Sequence, residues 1–348
     1  MPDKKGKRTG VIGVGSFGTA IANLLAHNTD VLVFSRKQEV VDKINLEHRH
    51  FGLNLSERIV ATNSLEEVSR ECTLIFPIVP SNKFRVMMQN LGPSLRPYHI
   101  LIHGTKGFDL RNIDLNDIEN KNVTLSDICT MTEVIKQESS VERVGCLAGP
   151  NLASEIMEGQ PTATVIASHF DEVINLGKKN LNSKHFHVFG NYDLLGAELA
   201  GALKNVIALG SGILRGHGLG KNIQAMLISR GLGEMIHFGK KIGAESSAFL
   251  GTAGIGDLIA TATSKSSRNF TFGYRLGKGE SLEEINKTTD ELAEGVRTLV
   301  ITNYLANHYR LHVPITRMLY KVVYEGFSVD RAIEFLMIYP YDVDVDFI

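Results

Sequence analysis

Short apolar runs recur through the first 190 residues, and the intervals between them are long enough to hold a helix. Such runs, joined by helical crossovers, are typical of a parallel sheet covered by helices on both faces. The predicted strands cover residues 10–14, 30–34, 58–61, 74–76, 100–102, 143–147, 163–167 and 186–189. Between the first three strands, the spacing of apolar residues predicts helices over 19–26 and 37–46.

The strand pattern stops near residue 191, and the rest of the chain has the apolar periodicity of helices. Helices are predicted over 194–209, 222–237, 282–286, 291–308 and 315–325. The polar, acidic segment 112–122 is expected to be a surface excursion, and the tail 339–348 suggests no function. We therefore predict an α/β domain over residues 1–190 and an all-α domain over residues 191–348.

Charge and cysteine content exclude several classes of protein. The formal net charge is -1, so the chain lacks the basic field of a nucleic-acid-binding protein. Cys72, Cys129 and Cys146 are widely spaced, which argues against a disulfide framework and against a structural metal site. A reducing, cytoplasmic setting is therefore expected. Residues 9–29 carry no Asp, Glu, Lys or Arg, but their glycines and asparagines argue against a signal peptide or membrane span.

Glycine is overrepresented, with 33 residues where ordinary usage would give roughly 24. Gly13, Gly15 and Gly18 form a G-x-G-x-x-G pattern between an apolar strand and a helix of small residues. In a dinucleotide-binding turn, the first glycine permits the turn, the second admits a pyrophosphate, and the third lets helix and strand pack closely. The pattern predicts a Rossmann-like dinucleotide-binding domain with a mainly parallel sheet; a plain strand–helix turn is the alternative.

The residues after the second strand bear on the choice of cofactor. An acid that binds the ribose 2′-hydroxyl is usual there, whereas this chain has Ser35 and Arg36. Arginine suits a 2′-phosphate, so the sequence allows NADP as well as NAD. A solvent-facing arginine is the alternative.

Two further loops that follow strands are candidate ligand sites. Lys106 lies after a strand, at the edge where open parallel sheets bind ligands, although it could also be a surface lysine. Gly149 and Asn151 lie between another strand and a helix. Asn151 is predicted to cap that helix, and the amides of residues 149–153 are predicted to attract an anion. A purely structural cap is the alternative.

Lys204 and Asp257 are charged residues in apolar surroundings. Lys204 has Gly201, Ala200, Ile207 and Ala208 three and four positions away, so no acid of its own helix can pair with it. A buried lysine of this kind needs a distant carboxylate or a lowered pKa, and either suits proton transfer. The alternative is a lysine whose ammonium reaches water. Asp257 could be the distant partner, or it could simply cap a helix.

Polar residues near the end of the chain suggest a phosphate site. Ser267, Arg268 and Asn269 offer a hydroxyl, a guanidinium and an amide, which together suit a phosphate monoester. Glu294 and Arg297 add an acid and a base, for which a solvated ion pair is the default interpretation.

Several motifs occur in the order found in one enzyme family. They are GVGSFG, HGTKG, AGPNLASE, GALKNVIA, AGIGDL, SRN and AEGVRT, and they span nearly the whole chain. With them the chain resembles the soluble, bacterial-type NAD(P)-dependent glycerol-3-phosphate dehydrogenases. The chain departs from the family in two places, with Asn151 where many relatives have Thr or Ser and with a longer segment over 112–122.

The resemblance implies roles for individual residues. Cofactor contacts are implied for Gly13, Gly15, Ser16, Phe17, Gly18, Arg36, Phe84, Lys106, Ala153, Arg268, Leu292 and Glu294. Substrate contacts are implied for Lys106, Gly149, Asn151, Lys204, Asp257, Ser267, Arg268 and Asn269. Lys204 corresponds to the proton donor and acceptor, with Asp257 orienting it and Lys106 stabilising the developing negative charge.

The implied reaction is the reversible reduction of dihydroxyacetone phosphate to sn-glycerol 3-phosphate by NADH or NADPH, without a metal. The family further suggests a cytoplasmic homodimer that supplies glycerol phosphate to phospholipid synthesis. Two alternatives remain at this point. One is a ketopantoate or hydroxyacid reductase of the same superfamily, which does not require an SRN phosphate site; the other is a catalytically silent dinucleotide sensor, which needs neither Lys204 nor Asp257.

Overall fold

The apolar runs of the first half form one sheet in a computed structural model, which describes residues 8–111, 113–118, 120–121, 123–289 and 293–338. In chain order the strands are β1 (Arg8–Ile12), β2 (Val31–Phe34), β3 (Arg49–His50), β4 (Leu53–Asn54), β5 (Ile59–Thr62), β6 (Cys72–Pro77), β7 (Ile100–His103), β8 (Arg143–Ala148), β9 (Thr162–Ala167) and β10 (Phe186–Asn191). Eight of them pair in the order β10-β9-β8-β7-β6-β1-β2-β5, while β3 and β4 form a separate hairpin.

The pairing in this sheet is parallel except between β8 and β9, which run antiparallel. Strands β2 and β7 are buried at every position, as expected where helices cover both faces of a sheet. The predicted mainly parallel, dinucleotide-binding type of sheet is therefore confirmed. The antiparallel pair could not be predicted, because β8 and β9 have the same apolar composition as their parallel neighbours.

Helices alternate with these strands. They are α1 (Ser16–Leu25), α2 (Gln38–Glu47), α3 (Leu65–Glu71), α4 (Ser81–Leu91), α5 (Met131–Glu138), α6 (Ala153–Met157) and α7 (Asp171–Leu181). The apolar residues of strands and helices share one core, in which Val11, Ile21, Phe76 and Ile166 are almost completely buried. Close packing of α1 on β1 depends on Gly18, where a β-carbon would lie only 1.9 Å from the Gly13 carbonyl oxygen.

The second half of the chain is helical, as predicted. Its helices are α8 (Leu194–Gly216), α9 (Lys221–Ile242), α10 (Ser247–Leu250), α11 (Asp257–Thr263), α12 (Arg268–Gly277), α13 (Leu282–Lys287), α14 (Glu294–His308), α15 (Pro314–Tyr324) and α16 (Val329–Ile338). Among the helices that the structure describes, only α8 is long and apolar enough to cross a membrane, and its apolar window is entirely buried within the protein.

The chain divides into two compact units. Unit 1 contains residues 1–105 and 130–194, and unit 2 contains residues 106–129 and 195–348. The predicted boundary after residue 190 lies close to the break between Leu194 and Leu195. Residues 106–129, which we had placed in the first domain, belong instead to unit 2.

The segment expected to be a surface excursion contributes to the core of unit 2. Ile118 is 2% exposed and Val123 is 1% exposed, and both pack among the helices of that unit. Backbone hydrogen bonds of 2.9 Å in both directions between Asp109 and Cys129 close the base of the segment. Asp114, Asp117, Asn120 and Lys121 are exposed, as expected of a surface excursion, whereas Ile118 and the adjoining Val123 anchor the segment in unit 2. Residues 112, 119 and 122, and the tail 339–348, lie outside the described residues.

Candidate functional site

The glycine loop of unit 1 has the shape that a pyrophosphate requires. Gly13 has a φ of +103°, and a β-carbon there would lie 2.1 Å from the Ile78 carbonyl oxygen. Gly15 is exposed, and a β-carbon built on it would meet nothing within 4 Å among the described residues. Because α1 begins at Ser16, its first amides lie beside this open backbone. The loop therefore combines a fixed turn with an accessible helix N-terminus.

Three side chains lie around this loop. Phe17 is half-buried against Gly104, where a β-carbon would lie 3.0 Å from the ring. Arg36 is exposed just after β2. His50 places Nε2 2.8 Å from the Val14 carbonyl oxygen, so the β3–β4 hairpin is tied to the loop. We missed His50 in the sequence, because nothing in its local pattern links it to a loop 36 residues earlier.

Phe84 is buried in unit 1. Its ring is 0% exposed and meets the His103 ring edge-to-face, with the ring centroids 6.0 Å apart. Its assignment to the cofactor stays a prediction from the family resemblance. The apolar pattern of α4 places Phe84 on the face that packs into unit 1.

The loop after β8 also differs from the prediction at Asn151. Helix α6 begins at Ala153, its N-cap residue is Leu152, and no side chain caps it. Asn151 instead donates Nδ2 to the Thr164 hydroxyl at 2.9 Å. Its Oδ1 is buried and has no hydrogen-bond partner within the described part of the chain. Asn151 is therefore not a helix cap, and its Oδ1 remains available as an acceptor. Gly149, two residues earlier, adopts a φ of +123°.

Unit 2 brings Lys106, Lys204 and Asp257 into one cluster. Lys106 donates Nζ to Asp257 Oδ2 at 2.7 Å, and Lys204 donates Nζ to Asp257 Oδ1. Lys204 also donates to the Thr261 hydroxyl at 2.6 Å, and that hydroxyl lies 3.2 Å from Asp257 Oδ1. Lys204 is 5% exposed and Asp257 is 1% exposed, whereas the Lys106 side chain retains 18%. Two cations therefore share one buried carboxylate.

The local backbone explains how Asp257 reaches the lysines. A single π-helical turn over Thr252–Gly256 precedes α11, and the Gly256 amide donates to the Gly251 carbonyl oxygen at 3.3 Å. Such turns are rare and occur often at functional sites. Thr261 follows Asp257 by four residues in α11, so both side chains lie on one face of that helix. This spacing could have identified Thr261 from the sequence.

Burial and charge set the protonation of the cluster. Burial lowers the pKa of Lys204 to about 7; the charge of Asp257 opposes this shift and the charge of Lys106 adds to it. For Asp257 burial alone would raise the pKa, but the charges of Lys106 and Lys204 outweigh burial and the pKa is lowered. Near neutral pH the cluster thus pairs an ionised carboxylate with a lysine that can both release and accept a proton.

The start of α12 holds the predicted phosphate-binding residues. Ser267 is the N-cap residue, and its hydroxyl accepts a hydrogen bond from the Phe270 amide at 3.3 Å. Arg268 is exposed. Asn269 is buried; its Nδ2 donates to Asn205 Oδ1 and its Oδ1 accepts from the Gly295 amide, both at 2.8 Å. Asn205, which the sequence did not single out, therefore joins α12 to α8.

The remaining predicted residues lie near α14. Glu294 is the first residue of that helix and is half-buried. Burial lowers the pKa of Arg297, although the charges of Glu294, Asp109 and Asp114 oppose the shift. Leu292 lies outside the described residues. Among those described, no three His, Cys, Asp or Glu side chains are arranged to hold a metal ion.

Comparison with known proteins identifies a family for the whole chain. Sequence profiles described as the N-terminus and the C-terminus of NAD-dependent glycerol-3-phosphate dehydrogenase match residues 8–174 and 193–334. The glycerol-3-phosphate dehydrogenase [NAD(P)+] of Ectopseudomonas mendocina is 38% identical over 343 residues, covering 97% of this chain and 96% of the relative. The enzyme of the same name from Acinetobacter baylyi is 37% identical over 330 residues, covering 93% and 88%.

A solved structure agrees with these sequence matches. The crystal structure of glycerol-3-phosphate dehydrogenase from Coxiella burnetii superposes with a TM-score of 0.84 at 28% identity, covering 95% of this chain and 99% of that one. The open glycine loop, the buried two-lysine cluster and matches along nearly the full length agree with one another. The chain belongs to the NAD-dependent glycerol-3-phosphate dehydrogenase family.

Proposed function

We propose that this protein reversibly reduces dihydroxyacetone phosphate to sn-glycerol 3-phosphate with NADH or NADPH. The observation that carries the proposal is the pair Lys106 and Lys204 on the single carboxylate of Asp257. Relatives that are 36–38% identical over most of the chain bear the name of this activity. A dinucleotide sensor would gain nothing from burying Lys204 and Asp257, whose desolvation is costly.

Unit 1 supplies the residues that fit a dinucleotide. The exposed backbone of Gly15 and the first turn of α1 would hold the pyrophosphate, where Ser16 and Phe17 lie. Arg36 would bind a 2′-phosphate, which favours NADPH as a substrate without excluding NADH. The assignments of Ala153, Arg268, Leu292 and Glu294 to the cofactor remain predictions from the family resemblance.

The proton chemistry falls to Lys204. When bound, the nicotinamide supplies a hydride to the ketone carbon. The ketone oxygen then needs a proton, and Lys204 Nζ, with a pKa of about 7, can provide it and recover one from solvent. In the reverse direction the neutral amine takes the hydroxyl proton. Asp257 orients both ammonium groups, and Lys106 stabilises the negative charge that develops on the oxygen.

The phosphate of the substrate would bind at the start of α12. Arg268 is exposed there and can offer two parallel donors to a phosphate. Asn269 is already held by Asn205 and Gly295, so this end of the helix is rigid. Gly149 and Asn151 remain predicted substrate residues, and the unpartnered Oδ1 of Asn151 is an acceptor that a substrate hydroxyl could use.

The cellular role follows from the reaction. The widely spaced cysteines, all free and buried, support the cytoplasm as the site of action, and the family resemblance supports a homodimer as the assembly. The product would supply glycerophospholipid synthesis. A mass measurement in solution, by light scattering, tests the dimer directly.

A spectrophotometric assay tests the activity. Purified protein is mixed with NADPH or NADH, and the near-ultraviolet absorbance of the reduced nicotinamide is followed after adding dihydroxyacetone phosphate. Ketopantoate, added in a parallel reaction, represents the competing superfamily activity. Oxidation with dihydroxyacetone phosphate alone supports the proposal. Oxidation with ketopantoate alone, or with neither compound while dinucleotide still binds, contradicts it.

A further inference from the structure

Helices α8 and α12 approach each other so closely that side chains are excluded between them. A β-carbon on Gly212 or Gly216 of α8 would lie 2.1 Å from the carbonyl oxygen of Phe270 or Tyr274, respectively. A β-carbon on Gly273 of α12 would lie 2.0 Å from the Leu209 carbonyl oxygen. One on Gly277 would lie 2.2 Å from the Ile213 carbonyl oxygen. Each helix therefore presents two glycines, four residues apart, to the backbone of the other.

These glycines are not required by backbone conformation. None of Gly212, Gly216, Gly273 and Gly277 has a positive φ, and all lie within helices, where alanine is intrinsically preferred. The reason for glycine is therefore the space. The nearest atoms are backbone atoms of the facing helix, which cannot rotate away as the end of a side chain can. Small residues at helix contacts let two backbones come unusually close.

The close contact runs in register with the proposed active site. Asn205 pairs with Asn269, Leu209 contacts Gly273, and Ile213 contacts Gly277, each pair one helical turn beyond the last. The two helices therefore run in the same direction with a fixed offset. Lys204 immediately precedes Asn205 and Arg268 immediately precedes Asn269, so these two cations stand at the same level on facing helices.

We infer that the four glycines are positioning residues that fix the distance between Lys204 and Arg268, and thereby the length of the substrate. This inference rests on the proposed function, in which Lys204 acts at the ketone oxygen and Arg268 binds the phosphate. Because the two side chains extend from helices in close contact, the thickness of that contact sets how far apart Lys204 and Arg268 can lie. A longer ketone phosphate would fit the same two anchors poorly.

The test compares two alanine substitutions in the full-length chain. In Gly273→Ala the helices must separate by on the order of 1 Å, a misplacement that can cost about 100-fold in rate. Gly210→Ala is the matched control, because Gly210 is likewise a helical glycine, in α8, but the atoms nearest its β-carbon would be those of the flexible Leu319 and Leu227 side chains. Circular dichroism and thermal melting establish that each variant is folded.

Two substrates are compared, dihydroxyacetone phosphate and its four-carbon homologue, 4-hydroxy-3-oxobutyl phosphate. For wild type and Gly210→Ala we expect kcat/KM to favour the shorter substrate by about tenfold or more, because one misfitted methylene costs between about 10-fold and 200-fold. In Gly273→Ala the KM for dihydroxyacetone phosphate should rise and this preference should shrink. The pH midpoint of kcat should stay, since Lys204 keeps its contacts with Asp257 and Thr261, and a general loss of structure would not give this pattern.

Defined outcomes overturn the inference. If Gly273→Ala and Gly210→Ala have the same KM and the same preference, the glycines do not set substrate length. If Gly273→Ala does not fold, Gly277→Ala replaces it in the same comparison. Equal kcat/KM of the wild type for both substrates would by itself reject the inference that the glycines set substrate length. If wild type reduces no dihydroxyacetone phosphate at all, it is the proposed function that fails.

Discussion

The two units prepare for anionic ligands in opposite ways. Unit 1 offers exposed backbone at Gly15 and a helix N-terminus, with no buried charge at the loop. Unit 2 instead buries Lys204 and Asp257, and the Asp257 carboxylate pairs with both Lys204 and Lys106. Backbone amides keep one charge state at every pH, whereas the lysine pKa depends on its neighbours. Damage to unit 1 should therefore weaken binding, and damage to the unit 2 cluster should slow chemistry and change its pH dependence.

The largest expected effect comes from Lys204→Ala. Removing the proton donor should lower kcat by about 100-fold to 10,000-fold, the range typical of general acid–base catalysis. Dinucleotide affinity should not change, because the glycine loop lies in unit 1. Stopped-flow turnover and quenching of nucleotide fluorescence measure the two quantities. Lys265→Ala, an exposed lysine of unit 2, is the control; near-normal turnover in Lys204→Ala would remove the basis of the mechanism.

The second effect should come from Gly13→Ala in unit 1. Its β-carbon would lie 2.1 Å from a backbone oxygen, at a φ of +103°. We expect dinucleotide affinity to fall by about 100-fold, a loss of roughly 3 kcal/mol. Gly52→Ala is the control that has backbone strain without a steric clash. Gly52 also has a positive φ, of +73°, but a β-carbon there would meet no described atom within 4 Å. Titration calorimetry of both variants decides the matter, and equal affinities would show that the collision is unimportant.

A third prediction concerns the pH dependence of unit 2. Burial lowers the pKa of Lys204 to about 7, while the charge of Asp257 raises it and that of Lys106 lowers it. Ketone reduction requires protonated Lys204, so its kcat should fall as pH rises through about 7. Asp257→Asn should move this midpoint to lower pH, and Lys106→Met should move it to higher pH. Shifts in the same direction in both variants would contradict the assignment of Lys204 as the titrating group.

The smallest effect is expected at the surface of unit 1. Arg36→Ala should reduce the preference for NADPH over NADH by about twofold to fivefold, the range of a single exposed charge pair. The adjacent exposed Lys37→Ala is the matched control. Steady-state kinetics with each cofactor give the ratio. An unchanged ratio in Arg36→Ala would leave Arg36 as an ordinary solvent-facing side chain.

The local pattern of apolar residues was sufficient to predict most strands and helices of this protein. It failed where the structure depends on contacts between residues far apart in the chain. Apolar periodicity located β1, β2 and α8 to within a few residues, apart from the C-terminal extension of α8, because each depends on neighbouring positions. The packing of residues 106–129 into unit 2 depends on remote partners, such as the Tyr304 hydroxyl on the Val123 amide at 3.0 Å. No local pattern contains such a contact.

The excess of glycine was likewise explained only in part by the local sequence. The sequence indicated that glycines would gather at ligand sites, and Gly13 and Gly18 do shape the nucleotide loop. Gly212 of α8 and Gly273 of α12, however, lie where these two helices touch, and the reason for glycine at each position depends on the backbone of the other helix. The number of glycines indicated that backbone must approach another group closely. It could not show whether that group is a ligand or a neighbouring helix.

The interleaved path of the chain limits how this protein can be dissected. A gene fragment that begins at residue 195 omits residues 106–129, and with them Lys106 and the buried side chains of Leu110, Ile118 and Val123. Such a fragment would expose apolar surface, and the complementary fragment 1–194 would carry an unanchored segment. Swapping halves between homologues at residue 194 would therefore combine mismatched cores, whereas exchanging residues 106–129 together with the C-terminal half respects the fold.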